Sequence, residues 1–176
     1  MSEPVIPPKI QTMLDQMMSN FEQILAAGEE VEPFVFFGQI AERDVHVMPL
    51  QFGSEAQKNM LAAAIRRACA RVQADFSMFV SEAWSLPSKV RAPGDKDPME
   101  GYSSISQHPD RVDVLNINVE TLQGCWMISR EIQPTPDGKA RKFATEANPV
   151  FSPRVGGRFT GFLPVLSASS AASGAH

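Results

Sequence analysis

The run Ala74–Trp84, A-D-F-S-M-F-V-S-E-A-W, decides the fold. Read as a strand, it sends Phe76, Met78 and Val80 to one side and Phe79 and Ala83 to the other, because successive side chains alternate faces. Both sides are apolar, which predicts a central strand covered on both faces. Glu82 breaks the pattern. It shares a face with Val80 and Trp84 near the strand's C-terminal end, where a carboxylate is half-solvated, ion-paired or functional.

The segment before this strand reads as a helix. Ser54 stands three residues ahead of Gln57, an S-x-x-Q capping box. Met60, Leu61, Ala64, Ile65, Ala68, Cys69 and Val72 follow at helical spacing. Lys58, Arg66, Arg67 and Arg71 form a basic stripe on its other side. Further upstream, Phe34–Ile40 and Val45–Leu50 read as a hairpin turning at Glu42-Arg43-Asp44. Pro49 lacks a backbone donor, so the second strand ends there or lies at a sheet edge. His46, alternating with Val45 and Val47, reads as a surface or hydrogen-bonded histidine. Before the hairpin, Ile10, Met13, Leu14, Met17, Met18, Phe21, Ile24 and Leu25 recur at spacings of three and four. They predict an amphipathic helix opened by Pro7-Pro8 and closed before Gly28. Its three methionines suit either docking on the sheet or an adaptable binding face.

After the central strand, Leu86–Asp110 carries four prolines and no usable period, with Gly94–Pro98 as its expected mobile tip. Loops of this length are usually functional or disordered. Val112–Val119 and Cys125–Ile132 then alternate as two strands turning at Gln123-Gly124. Lys139–Glu146 is a more polar edge strand, its basic residues discouraging further pairing. The expected order is α-β-β-α-β-β-β. This is an α+β domain with a single, mainly antiparallel sheet of five to six strands and two main helices. The order is similar to that of profilin-like and roadblock-type domains, a likeness of topology alone. Residues 1–8 are expected as an extended arm, 9–147 as the single domain, 148–166 as an irregular extension, and 167–176 as a disordered tail.

The chain has 176 residues, a net charge of −4 and a pI near 5.4. An acidic balance disfavours non-specific binding to nucleic acid or anionic membrane. No apolar run is long enough to span a bilayer. The N-terminus lacks a basic-then-apolar leader. Cys69 and Cys125 are far apart, form no C-x-x-C, and read as buried free thiols. A cytoplasmic protein fits these features. There is no P-loop, G-x-G-x-x-G, G-x-S-x-G, H-E-x-x-H, EF-hand loop or zinc-type Cys/His cluster, so no cofactor or metal is expected.

One constellation remains: Glu82, His108, Asp110 and Arg111. If the strands flanking the long loop are antiparallel neighbours, the end of one lies beside the start of the other. Glu82 and the His108–Arg111 group then meet at one end of the sheet. A carboxylate beside an imidazole orients it for acid/base work, and Arg111 holds an anion. The plainer alternative has Pro109 fixing a turn, Asp110 capping it, His108 anchoring the loop and Arg111 pairing with Glu82.

V-S-E-A-W (Val80–Trp84), followed by H-P-D-R (His108–Arg111) and a V-x-V-L strand, resembles an uncharacterised family of small bacterial and phage proteins. The likeness covers roughly residues 30 to 132. It implies no activity and draws attention to Glu82, Trp84, His108 and Arg111.

The leading expectation is a non-enzymatic cytoplasmic module that binds a protein partner or itself through its sheet edge, Met-rich helix or long loop. The alternative is a small enzyme, a hydrolase for example, using Glu82 and His108 as acid and base with Arg111. Nucleic-acid contact through Arg66, Arg67 and Arg71 is a weaker third reading.

Overall fold

The computed structural model describes residues 4–87 and 94–164. The expected tail at 167–176 lies outside them, as do residues 88–93 of the long loop. Helix α1 spans Pro8–Ala26 and α2 spans Glu55–Arg71. The strands are β1 Phe34–Gly38, β2 Val45–Pro49, β3 Phe76–Ser85, β4 Val112–Thr121, β5 Gly124–Pro134, β6 Arg141–Phe143 and β7 Val150–Ser152. They form one sheet in the order β2-β1-β3-β4-β5-β6, with β7 also paired to β5 and every pairing antiparallel. The α+β architecture and its element order are those read from the sequence.

β3 lies inside the sheet and is covered on both faces. Phe76, Met78 and Val80 pack with Ile10, Leu14, Met17, Phe21 and Leu25 of α1, and with Leu115, Ile117, Val119, Trp126 and Ile128. Phe79 joins Val35, Phe37, Ala62, Ile65 and Cys69 on the α2 side. The two helices therefore sit on opposite faces of the sheet. α1 buries the stripe that its spacing predicted; on α2, Ile65 and Cys69 are buried as predicted, but Ala62 is buried as well and Met60, expected on the buried stripe, is 71% exposed. Met17 is buried in this core, and Met13 and Met18 pack against it. The methionine stripe of α1 thus packs on the sheet.

The helix ends follow from local chemistry. Pro8 opens α1. Ser54 and Gln57 make both hydrogen bonds of the capping box at α2. Beyond α1, Gly28 adopts φ +80°, and a Cβ there would lie 2.6 Å from the Lys139 carbonyl oxygen. The turn before β6 can approach α1 only because this residue has no side chain. Gly28→Ala is expected to cost about 2 kcal/mol from the left-handed backbone and the clash together. Urea unfolding measures it; a cost below about 0.5 kcal/mol would mean the turn does not press on α1.

Within the segment expected as an irregular extension, one short strand forms and the rest packs on the domain. Val150–Ser152 is a strand on β5, and the chain then crosses to the α2 face. Phe159 stacks on Phe79 with ring centroids 4.9 Å apart and contacts Phe52 at 5.0 Å. Phe162 is buried. Arg66 donates to the carbonyl oxygens of Arg158, Thr160 and Gly161 at 3.0–3.2 Å. Its guanidinium lies 5.7 Å from the Phe162 ring. The Phe162 amide donates to Glu120 Oε2 at 3.0 Å.

Arg158 also pairs with Glu55 in the first turn of α2, at 2.5 Å. Hydrogen bonding from Arg158, and then from Lys58, holds the Glu55 carboxyl at about 2 against an ordinary 4.5. A depressed carboxyl contributes stability that is complete above its ordinary value and is lost as pH falls through the depressed one. The window for Glu55 therefore runs downward from about 4.5 to about 2. NMR titration of Glu55 should show the low midpoint, and Arg158→Ala should return it toward 4.5. A midpoint unmoved by that substitution would contradict the pairing.

Candidate functional site

β3 and β4 are antiparallel neighbours, as the constellation required, but their register separates its members. Glu82 faces Leu115 and Ser85 faces Val112. Arg111 is thus four positions along from Leu115, about 13 Å at a strand's rise per residue. Arg111 does not pair with Glu82. Its Nη1 donates to the Ser106 carbonyl oxygen at 2.6 Å. Its guanidinium lies over the Trp84 ring, 5.4 Å from the centroid.

His108 is buried. Its Nδ1 accepts the Asp110 amide at 3.0 Å, and its ring packs on Tyr102 at 4.6 Å. The imidazole lone pair is therefore used inside its own turn, which follows the 3-10 turn Ile105–Gln107. It is Asp110's backbone amide, donating to His108, that closes this turn. His108 anchors the loop, as the plainer reading had it, while Glu82 takes a different partner.

That partner is Arg141. Glu82 Oε1 accepts from Arg141 Nη1 at 3.2 Å and from the Val31 amide at 2.7 Å, and Oε2 accepts from Arg141 Nη2. Nη1 also donates to the Glu29 carbonyl oxygen at 3.0 Å. Glu82 raises the Arg141 pKa through this hydrogen bond; partial burial works against the rise, and the charges of Glu82, Asp113 and Glu30 add to it. One fork-to-fork ion pair thus ties β3, β6 and the α1–β1 connector together. Arg141 is the residue that reading the sequence missed. The available signal was Glu82 itself, since a carboxylate in an apolar strand calls for a cation.

A cleft of about 340 Å³ opens beside this pair, lined by Gly28, Glu30, Glu82, Ala83, Trp84, Asp113 and Arg141. A second, of about 280 Å³, shares Gly28, Asp113 and Arg141 with it. The first is lined by three carboxylates and one guanidinium. Both oxygens of Glu82 are engaged in hydrogen bonds. Among the described residues no group of three or more His, Cys, Asp or Glu could hold a metal ion. Burial, followed by the charge of Glu120, pushes the Cys69 thiol to about 12 and the Cys125 thiol to about 11, which leaves neither as a nucleophile at neutral pH.

The basic stripe of α2 is also partly committed, with Lys58 bridging Glu55 and Arg66 holding the 158–161 carbonyls. Among the described residues no helix is long and apolar enough to cross a membrane.

The sheet edges differ in how they are closed. β5 is covered by β6 at Ile132–Pro134 and by β7 at Cys125–Met127. Between them, the Glu131 amide donates to Thr145 Oγ1 at 3.1 Å, and its carbonyl accepts the Ala144 amide at 2.9 Å. Among the described residues β2, at the other end, pairs only with β1. The residues that follow it, Gln51–Gly53, wall an open groove of about 800 Å³ completed by Gln57, Met60, Leu61, Ala63, Ala64 and Arg67 of α2.

Comparison with protein-family models, with curated proteins and with solved structures finds no match. In this chain three residues of the two motifs quoted above make the following contacts. Glu82 grips Arg141, Trp84 carries Arg111, and His108 closes a turn.

Proposed function

We propose that the chain is a non-enzymatic cytoplasmic module for protein binding or assembly, taking its partner along the β2 edge of the sheet. The observation that carries this reading is the edge of β2, unpaired among the described residues, a five-residue strand without an acidic residue, lysine or arginine. Exposed strand edges are templates for pairing, and proteins usually blunt them with lysines, prolines, bulges or cover; of these β2 has Pro49, at its end. β6 and β7, which close the opposite side, are three residues each. The hydrolase alternative lacks such support, because Glu82, His108 and Arg111 do not converge.

The test is capture from host lysate with quantitative mass spectrometry, using wild type, Val47→Lys, and His108→Ala combined with Arg111→Ala. A stoichiometric protein, of this or another sequence, should be retained by wild type and by the loop variant and lost with Val47→Lys. Capture indifferent to Val47→Lys would reject the edge as the binding surface.

A further inference from the structure

We propose that the partner at the β2 edge is a second copy of this chain, paired antiparallel to β2 about a two-fold axis at Val47. This deepens the binding-module reading and rests on it.

The backbone geometry settles which groups the edge offers. In an antiparallel pair, residues that exchange hydrogen bonds alternate with residues whose N–H and C=O point away. The Leu50 amide donates to the Pro33 carbonyl oxygen at 2.8 Å, one step beyond the Phe34↔Pro49 register. By alternation, Met48 and His46 also bond to β1. The Gly38 carbonyl accepts the Asp75 amide on the β3 side at 2.9 Å, one residue off its register partner Phe76, and so points away from β2. The outward groups of β2 are therefore the N–H and C=O of Val45 and Val47 and the C=O of Pro49. The donor that Pro49 lacks is an outward one, which is why proline is tolerated there.

An antiparallel copy centred on Val47 overlaps the whole of Val45–Pro49 with itself. Val47 exchanges N–H and C=O with its own counterpart. The Val45 N–H meets the Pro49 C=O on each side of the axis, so every outward donor of the strand is used. An axis at Pro49 would set two residues without donors against each other, and an axis at His46 would leave part of the strand unpaired and place two imidazoles face to face.

The side chains agree with this register. Val47 lies opposite Phe36 on the α1 face and is 55% exposed; the two-fold covers each Val47 with the other. On the α2 face His46, stacked on Phe37 at 5.4 Å, meets Met48 of the copy. No charge faces a charge along the strand. The apolar groove walled by Gln51–Gly53 borders the same edge and offers further area to a copy seated there.

The experiment is single-cysteine crosslinking combined with sedimentation of the full chain. The native thiols do not compete, since Cys69 and Cys125 are both buried. In a bonded antiparallel pair, opposite Cα atoms are about 5.5 Å apart, within disulfide range. Val47→Cys should therefore oxidise to a covalent dimer. Val45→Cys, whose counterpart lies about 13 Å away, should not. Wild type should sediment as a concentration-dependent dimer, and Val47→Lys should weaken association at least about tenfold. Val47→Pro removes one outward donor while sparing the bonds to β1, and should weaken association with an unchanged circular dichroism spectrum.

Equal crosslinking at positions 45 and 47, or a wild type that stays monomeric at about 100 µM, would overturn the proposal. If the monomeric wild type still captured a different protein, and lost it with Val47→Lys, only the self-partner would fall. If it captured nothing in an edge-dependent way, the binding-module reading would fall with it.

Discussion

Phe162→Ala should lower the free energy of unfolding by about 3–5 kcal/mol, as expected when a buried phenylalanine is truncated. The ring is 2% exposed and sits in the α2-side core with Val35, Phe37, Ile65 and Phe79. Removing it leaves a cavity between α2 and the sheet. It also takes away the surface on which Arg66 rests and loosens the hold of Glu120 on the Phe162 amide. The 153–164 segment has little regular structure of its own, so its order depends on this anchor together with Phe159. Hydrogen exchange should therefore quicken along 153–164 and in α2 while the α1-side core stays protected. A loss below about 1 kcal/mol would mean that the segment rests on the domain without completing it.

Glu82→Ala should cost about 2–3 kcal/mol. It leaves the Arg141 guanidinium and the Val31 amide without their acceptor in a largely buried place. Breaking a fully buried pair costs about 3–5 kcal/mol, and the 18% exposure left to each side chain moderates that figure. Arg141→Ala should be comparably harmful. The double substitution should cost less than the two losses added, by about 1–3 kcal/mol, because the second change then removes a group that has already lost its partner. Strict additivity would show that the pair is not coupled in solution. Arg111→Ala is the informative control. Its contacts are with Ser106 and Trp84 at an exposed position, so it should cost less than about 1 kcal/mol.

Much of the fold was legible in the sequence because its signals are local. The two-residue alternation of β3 survives in the structure with Phe76, Met78 and Val80 facing α1 and Phe79 facing α2. The capping box at Ser54 and Gln57 marks the start of α2, and Pro8 marks that of α1. Pro49 indicated an edge or a strand end, and it proves to be both. β7 was not legible: Val150–Ser152 is three residues between prolines, too short to show a period, and it exists through its pairing with β5.

The candidate site was legible only by halves. Sequence reasoning picked out Glu82 as a residue needing an explanation and read His108 either as an acid/base group or as a loop anchor. It could not supply Arg141, which lies 59 positions away in the chain. Nor could it place Arg111 on Trp84, because the strand register puts Arg111 four steps from Leu115, the residue opposite Glu82. A one-dimensional pattern records which residues are apolar and at what period. It does not record which of several cations a buried carboxylate will meet.

By itself, then, the sequence determined both helices, the strands β1–β6, their order, most of the faces they bury and the absence of familiar catalytic motifs, since all of these follow from neighbours within one turn or one strand. The tertiary structure decided the partner of Glu82, the closing of the β5 edge by distant short strands, the packing of Phe159 and Phe162 over the second face, and the bare edge left at β2. Each depends on contacts between segments far apart in the chain, set by sheet register and chain crossing.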